Sequence, residues 1–292
     1  MAFNVTNLST YVANTQGYVT KKIAEATTIK ALLDSGNFIT EVKGTSKVKK
    51  VEFNSVIALN DGCTRTGASS QTLKDVDMSV ANLKFENDLC TSSLRNTYFT
   101  EALKTSSNPE EFEGDFMDIM QDGIIKAAAF EIEKLIWSGA TTASTYNQLN
   151  GILRQSSVSA TTVTPTGTTI AKLQAIYNAS NAVERNKEDY RIFIPYTTWN
   201  SYVQEMAGLN LYNPTTVDTL FGTTAKLIPT FALSGRAWAG RLGNLMFGTD
   251  GTGDMDKIEW FYDASTRNTQ ADVLATVGIS VVYPELTVVA TV

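Results

Sequence analysis

The clearest structural signal in the sequence lies at residues 108–139, NPEEFEGDFMDIMQDGIIKAAAFEIEKLIWSG. Asn108 is a favourable N-cap, Pro109 suits the first helical position, and Glu111 stands at the capping-box position. Further acidic residues crowd the first two turns, where the helix dipole favours negative charge. Gly139 is a common signal for a helix C-terminus. The stretch therefore predicts one helix from Pro109 to about Trp137, roughly 40 Å long at 1.5 Å per residue.

The apolar residues of this helix fall into two adjacent stripes. A helix that is apolar on two faces is expected to pack on both sides, so we interpret it as a central spine. Methionines at this spacing are typical of a core rather than of ligands. One stripe contains Phe116, Ile119, Gly123, Ala127 and Phe130, and the other contains Met117, Met120, Ile124, Ala128, Ile132 and Leu135.

Before the spine, the pattern changes to period two. In residues 48–59 apolar and polar side chains alternate, which indicates a strand with one half-buried face. Val51 and Phe53 fall on the apolar parity, and Lys50 falls on the polar one. A polar, turn-rich tip follows at 60–70. On the return strand the apolar parity shifts, which indicates a bulge or a bend, from Val76, Met78 and Val80 to Leu83 and Phe85.

These segments predict a long two-stranded arm over roughly 43–88. A lone hairpin is barely stable in water, so the arm must pack either on the body of its own chain or on a neighbouring copy. The residues themselves leave both possibilities open. We interpret the lysines on or beside the arm as a solvated face that protects strand edges; they are Lys43, Lys47, Lys49, Lys50 and Lys74.

The rest of the chain predicts a mixture of elements. A helical stretch near 19–33 precedes the arm, a helix is expected over 88–104, and 141–151 and 156–169 are Thr/Ser/Gly-rich connectors. Helices and strands follow without regular alternation, so the class is α+β. They are helices over 170–177 and 199–206 and strands near 191–194, 227–233, 245–247, 258–262, 279–283 and 286–292.

Composition argues against several classes of function. The chain of 292 residues contains no histidine, which removes Ser-His-Asp and Cys-His catalysis and the common imidazole metal sites. Cys63 and Cys90 lack the partners that a zinc site needs, and we interpret them as one loop cysteine and one packed helix cysteine. The net charge is −6, and no basic stripe of the kind that grips nucleic acid is evident. No apolar stretch reaches the roughly 20 residues of a membrane span, so no membrane association is expected.

Motifs for chemistry are weak. No Walker loop, dinucleotide fingerprint or nucleophile elbow occurs. The segment 248–256, GTDGTGDMD, lacks calcium-loop spacing and reads as a turn between strands. Asp118 and Asp122 lie one helical turn apart and read as the solvated edge of the spine. We therefore predict no catalytic, cofactor-binding or metal-binding residue, and no enzyme activity.

The succession of parts over about 40–292 resembles the HK97-type major capsid protein family of tailed phages. Residues 85–139 look like that family's helix pair, and YNQLNGIL at 146–153 resembles its loop after the spine. Residues 244–289 resemble its strand pair and return segment. NDGCTRTGASSQTL at 60–73 and NDLC at 87–90 are similar to capsid proteins of phages of Bacteroidetes hosts, including crAss-like phages.

The resemblance implies an HK97-type α+β fold in five parts and an icosahedral shell built from pentamers and hexamers. The parts are an N-terminal arm (1–42), an extended β-hairpin called the E-loop (43–88), a peripheral domain with the spine helix (89–150), an axial domain (151–257) and a return to the peripheral domain (258–292). No lysine matches the crosslinking lysine of some members, so covalent crosslinking is not carried over. Nothing in the N-terminal arm resembles a fused scaffolding domain.

The implied partners are other copies of the chain, separate scaffolding and portal proteins, and auxiliary or decoration proteins. The shell would enclose double-stranded DNA without reading its sequence, in a virion made in the cytoplasm of a bacterial host. We expect contacts between subunits at hairpin positions, namely Lys49, Val51, Phe53, Arg65, Val76 and Met78.

Two other functions stay open at this point. An encapsulin-type compartment would use the same fold around an enzyme cargo, although encapsulins usually have a shorter E-loop. A histidine-free carboxylate enzyme, such as a glycoside hydrolase, would need two acids about 5–10 Å apart in one cleft.

Overall fold

The computed structural model describes residues 27–42, 46–54, 70–90, 109–211, 217–250, 258–263 and 268–292. Its helices are α1 (Thr27–Asp34), α2 (Pro109–Ser138), α3 (Ile152–Ser156), α4 (Thr169–Ala179), α5 (Ala182–Arg185) and α6 (Tyr196–Gly208). Its strands are β1 (Phe38–Ile39), β2 (Ser46–Asn54), β3 (Ser70–Cys90), β4 (Thr161–Val163), β5 (Tyr190–Pro195), β6 (Lys226–Thr230), β7 (Arg236–Arg241), β8 (Leu245–Gly248), β9 (Ile258–Asp263), β10 (Asn268–Val281) and β11 (Val288–Thr291). Short 3-10 turns lie at Leu242–Asn244 and Pro284–Leu286.

The predicted spine helix is confirmed as α2, which begins at Pro109 and ends at Ser138. At its end the Gly139 amide makes a last helical hydrogen bond to the Leu135 carbonyl at 2.9 Å. An added Cβ on Gly139 would lie 2.5 Å from that same carbonyl oxygen. Only a residue without a side chain fits this approach, which explains the glycine after the last helical turn.

One of the two predicted stripes of α2 forms the core. Ile124, Ala128, Ile132 and Leu135 are buried, and so are neighbouring residues on the same side, including Ile125, Ile136 and Trp137. The described half of the other stripe is exposed at Gly123, Ala127 and Phe130. The prediction of packing on both sides is therefore wrong at Gly123 and Ala127 within the single chain, whereas Phe130 has an apolar partner in Phe231.

The first sheet has the strand order β1-β8-β10-β3-β2, and β9 also pairs with β10. Within it β3 changes partner along its length. Residues Ser70 to Met78 pair with β2, and Ser79 to Cys90 pair with β10, one residue for one residue in both ladders. The predicted hairpin is thus a continuation of a body strand.

The predicted change of parity along β3 is confirmed in its burial. Met78 is buried in the outer half, whereas Ala81 and Leu83 are buried in the inner half. The one-for-one register shows no bulge, so that alternative is wrong for the paired residues. The helix predicted over 88–104 is wrong at its start, because β10 pairs with β3 as far as Cys90. Residues 91–104 lie outside the described part.

The second sheet has the order β4-β11-β7-β5-β6. The predicted helices at 170–177 and 199–206 are confirmed as α4 and α6, and the strand at 191–194 as β5. β7 was not predicted, and β4 lies in a segment that was predicted to be a connector. Both take their pairing from strands distant in sequence, which local patterns do not reveal.

Strand pairing departs from the predicted part limits at two strands. β8 lies in 151–257, predicted to be axial, yet it pairs with β10 in the first sheet. β11 lies in 258–292, predicted to return to the peripheral part, yet it pairs with β7 in the second sheet. The chain therefore crosses between the sheets at each of the two 3-10 turns, in addition to its passage from β3 to β4 through α2 and α3. In addition, α1 of the predicted N-terminal arm packs Ile29 and Leu32 into the main core.

The end of α2 ties the two halves together. Trp137 packs against Phe193 and Trp238, with ring centroids 4.9 and 6.1 Å away. One oxygen of the buried Glu133 accepts hydrogen bonds from the hydroxyls of Thr28 on α1 at 2.8 Å and Thr230 on β6 at 2.6 Å. The spine thereby fixes both the segment before the hairpin and the edge of the second sheet.

Candidate assembly surface

The hairpin formed by β2 and residues 70–78 of β3 exposes its outer part. Leu73 lies opposite Val51 in the ladder and is 69% exposed. On the same face Lys47 lies 3.7 Å from Asp75, whereas Lys74 and Glu52, which lie 3.6 Å apart, have the opposite parity and belong to the other face of the hairpin. The outer hairpin therefore offers an apolar position with a charged rim, the usual composition of a contact surface.

Lys50 departs from the predicted solvated face. It is buried on the parity that was expected to be polar, and its Nζ lies 2.5 Å from Glu285 and 2.9 Å from Glu52. The same ammonium stands 4.6 Å from the centroid of the Tyr283 ring. The prediction for Lys50 was wrong because the carboxylate that permits its burial is 235 residues away in the sequence.

This ion cluster shifts the pKa values of its members. Desolvation lowers the pKa of Lys50, but hydrogen bonds to Glu285 and Glu52 outweigh it, so the pKa lies above the ordinary lysine value. The hydrogen bond from Lys50 lowers the pKa of Glu52 below its usual range. Both shifts favour the charged forms of Lys50 and Glu52.

The predicted contact residues fall into three groups. Lys49 is exposed on β2, and Val51 and Val76 are half-buried on the hairpin, as a contact role allows. Phe53 lies on β2 opposite Gln71, and Arg65 and Lys43 lie outside the described residues. Met78 is fully buried and packs at Gly248 of its own chain. Its contacts within its own chain are therefore established, and its role as a contact residue between subunits stays a prediction.

A second exposed cluster lies on the spine, and the sequence reasoning missed it. Phe130 stacks on Phe231 with ring centroids 4.3 Å apart, and both rings remain more than a third exposed. The Lys134 ammonium stands 4.0 Å from the Phe130 centroid. The Tyr146 hydroxyl donates to Glu131 at 2.5 Å and lowers the pKa of that carboxyl. The signal in the sequence was the unpartnered stripe that contains Phe130.

The part of the chain that the structure describes shows few features that suggest a catalytic or metal-binding site. It contains no group of three or more Cys, Asp or Glu side chains that could hold a metal ion. Among the same residues, no helix is long and apolar enough to span a membrane. A cleft of about 300 Å³ lies beside the two 3-10 turns, where Arg241 is already paired with Asp189 and Glu184. The side chains of Asp118 and Asp122, and most of the 248–256 segment, lie outside the described part.

Known proteins resemble this chain in structure rather than in sequence. No family model and no curated protein sequence matches it. A chain from Gordonia phage Cozz superposes with a TM-score of 0.61 at 13% identity, covering 89% of this chain and 85% of the other. A chain of the satellite phage P4 procapsid, solved with the size determination protein, gives 0.57 at 12% identity, covering 94% and 98%.

The similarity extends to a virus-like particle from Pyrococcus furiosus, with a TM-score of 0.51 at 12% identity over 89% of this chain and 96% of the other. The chain has the HK97-type α+β fold. In the terms of that fold, the hairpin of β2 and β3 is the E-loop and α2 is the spine helix. Identities this low show the fold alone.

Proposed function

We propose that this chain is the major capsid protein of a tailed bacteriophage. It would assemble as pentamers and hexamers into an icosahedral shell around packaged double-stranded DNA. The observation that supports this most directly is the E-loop, which continues a body strand and exposes the apolar Leu73. Residues 70–78 of β3 pair with β2 and not with β10, and these residues span roughly 30 Å at about 3.3 Å per residue, a length that can contact an adjacent copy.

The mechanism is geometric. Closed symmetry repeats one subunit shape in rings of five and six, and the E-loop adds contacts to an adjacent copy. The apolar Leu73 would be buried there, and its charged rim would supply specificity more than affinity. The net charge of −6 suits a wall that encloses DNA without gripping it, because like charge repels phosphate.

The partners of such a shell follow from the same proposal. Scaffolding and portal proteins would be separate chains, and auxiliary or decoration proteins could bind the outer surface. The protein would be synthesised in the cytoplasm of a bacterial host and reside in the virion. We also propose that this chain is related to the capsid proteins of crAss-like and other Bacteroidetes phages, because residues 60–73 and 87–90 resemble theirs.

The test is assembly of the purified protein, followed by light scattering and electron microscopy. We expect large closed particles, and Leu73→Asp should abolish them while leaving the thermal unfolding of the subunit unchanged. Val158→Asp is the matched control, because Val158 is 80% exposed and the charge change is the same. A wild-type protein that stays monomeric under all conditions, or a Leu73→Asp variant that assembles normally, would contradict the proposal.

The second candidate is a compartment shell with a protein cargo, because one similar chain belongs to a virus-like particle from a cellular organism, Pyrococcus furiosus. The contents of particles isolated from the native host distinguish the two. Nuclease-protected DNA of uniform length supports the virion. A single co-purifying enzyme in place of DNA, identified by mass spectrometry, supports the compartment.

A further inference from the structure

Lys50 lies where the E-loop meets the link between the two sheets. Its partner Glu285 belongs to the 3-10 turn Pro284–Leu286, through which the chain passes from β10 in the first sheet to β11 in the second. The neighbouring Tyr283 donates its hydroxyl to the Val51 carbonyl at 3.2 Å. Residues 283–285 therefore contact both the Lys50 side chain and the Val51 backbone, in the middle of β2.

The residues before this turn are hydrogen-bonded to the other 3-10 turn between the sheets, Leu242–Asn244. Asn244 ends the turn between β7 and β8 and is almost fully buried. Its side-chain amide donates to the Tyr283 carbonyl at 2.7 Å and accepts from the Tyr283 amide at 2.5 Å. The Val282 amide also donates to the Asn244 carbonyl at 2.9 Å. The two 3-10 turns, Leu242–Asn244 and Pro284–Leu286, are thus connected through Tyr283, and we call this connected pair the joint between the sheets.

We infer that Lys50 and Glu285 form a latch that couples the direction of the E-loop to the joint between the sheets. A buried lysine is tolerated only when its charge is paired, and here one of its two partners belongs to the joint. A change of angle between the sheets would move Glu285 and Tyr283, and through them β2. In the proposed shell, on which this last step rests, the latch lets the curvature of the shell and the reach of the E-loop change together.

The two carboxylates around Lys50 provide a sharp internal comparison. Glu52 lies on the hairpin itself, so its bond to Lys50 does not connect the hairpin to the body. Glu285 makes that connection. Their side chains are similarly exposed, at 40% and 45%. A latch therefore requires Glu285, whereas a mere need to neutralise Lys50 would make the two residues equivalent.

The experiment is hydrogen exchange on the unassembled protein, comparing Lys50→Met with Lys49→Met. Lys49 is the exposed neighbour on the same strand and undergoes the same chemical change. We expect amides in 46–54 and 70–78 to exchange about tenfold faster or more in Lys50→Met, the effect of losing a hydrogen bond to a charged group. Amides in 79–90 should keep their wild-type rates, and Lys49→Met should match wild type throughout.

Glu285→Gln and Glu52→Gln complete the test. We expect Glu285→Gln to loosen the hairpin as Lys50→Met does, and Glu52→Gln to have a smaller effect. Equal effects of the two glutamine variants would overturn the latch, as would unchanged exchange in Lys50→Met. Should Lys50→Met fail to fold, the glutamine pair still decides the question.

Electron microscopy of assembled particles tests the link to curvature. Lys50→Met should give a broader range of particle diameters or open sheets, whereas Lys49→Met should give wild-type particles. Uniform particles formed by a variant with a loosened hairpin would overturn the coupling. If wild-type protein forms no particles, the proposed function fails, while the exchange data still judge the latch.

Discussion

The most specific prediction about stability concerns Gly151, in the loop after the spine helix. Its amide donates to the Gly139 carbonyl at 2.8 Å, which folds the loop back on the end of α2. A Cβ at Gly151 would lie 2.6 Å from the Ile136 carbonyl oxygen and 2.8 Å from both the Trp137 carbonyl oxygen and the Gly139 amide nitrogen. All three are backbone atoms, so no side-chain rotation relieves the overlap.

We therefore expect Gly151→Ala to destabilise the chain by about 3 kcal/mol, the upper end of the range for overpacking. At roughly 2–4 °C per kcal/mol for a chain of this size, the midpoint of thermal unfolding should fall by about 6–12 °C. Gly123→Ala is the control within the same structural unit. An added Cβ on Gly123 meets nothing within 4 Å, and alanine is favoured over glycine inside a helix by about 1 kcal/mol.

The assay is urea or thermal unfolding of unassembled subunits, followed by tryptophan fluorescence, because Trp137 is fully buried beside the altered loop. The concentration must be held below assembly, since association raises apparent stability. The two variants should shift the midpoint in opposite directions. A Gly151→Ala midpoint equal to or above wild type would refute the reasoning from backbone overlap.

Three further outcomes are expected. Glu133→Ala should lower the free energy of unfolding by about 3 kcal/mol, because it leaves two buried threonine hydroxyls without their acceptor. Glu133→Gln should lower it clearly less, and chemical denaturation of both variants measures the difference. Gly248→Ala should lower the free energy of unfolding by about 1–2 kcal/mol, since the added Cβ meets the buried Met78 sulfur. In a double-mutant cycle with Met78→Ala, the two changes in unfolding free energy should be strongly non-additive. The pKa of Glu52 is lowered and that of Lys50 raised, so hairpin protection factors, corrected for intrinsic exchange, should be constant near neutral pH. They should fall as the pH rises through the pKa of Lys50, which lies above the ordinary lysine value of about 10.4, and protection that stays flat through that range would contradict an ionic latch.

Local signals in the sequence predicted the elements that depend on local physics. The N-cap and proline at the start of α2 and the glycine after its end placed that helix within a residue of its observed limits. Period-two patterning found the strands of the hairpin, and the shift of parity along β3 marked the point where its burial changes side. These features follow from contacts between residues close in sequence, which a single sequence displays directly.

The misassigned residues depend on contacts between distant parts of the chain. Lys50 looked solvated because nothing near it in sequence indicates Glu285. Phe130 looked buried because the stripe pattern does not reveal that the chain leaves this face open. The pairing of β8 with β10 and of β11 with β7 was not predicted, because strands adjacent in sequence separate at the two 3-10 turns. Pairing across a sheet is non-local, and periodicity alone does not specify which strands meet.

The continuity of β3 limits how the E-loop can move. The strand passes from the β2 ladder to the β10 ladder between Met78 and Ser79 without an unpaired residue. A free hinge there would have to break register pairs on one side of the junction, and those on the body side support the main core through Ala81 and Leu83. Motion of the E-loop must therefore come from twist and bending spread along β3. Twist of that kind displaces the middle of β2, which is the position that Lys50 ties to the joint between the sheets.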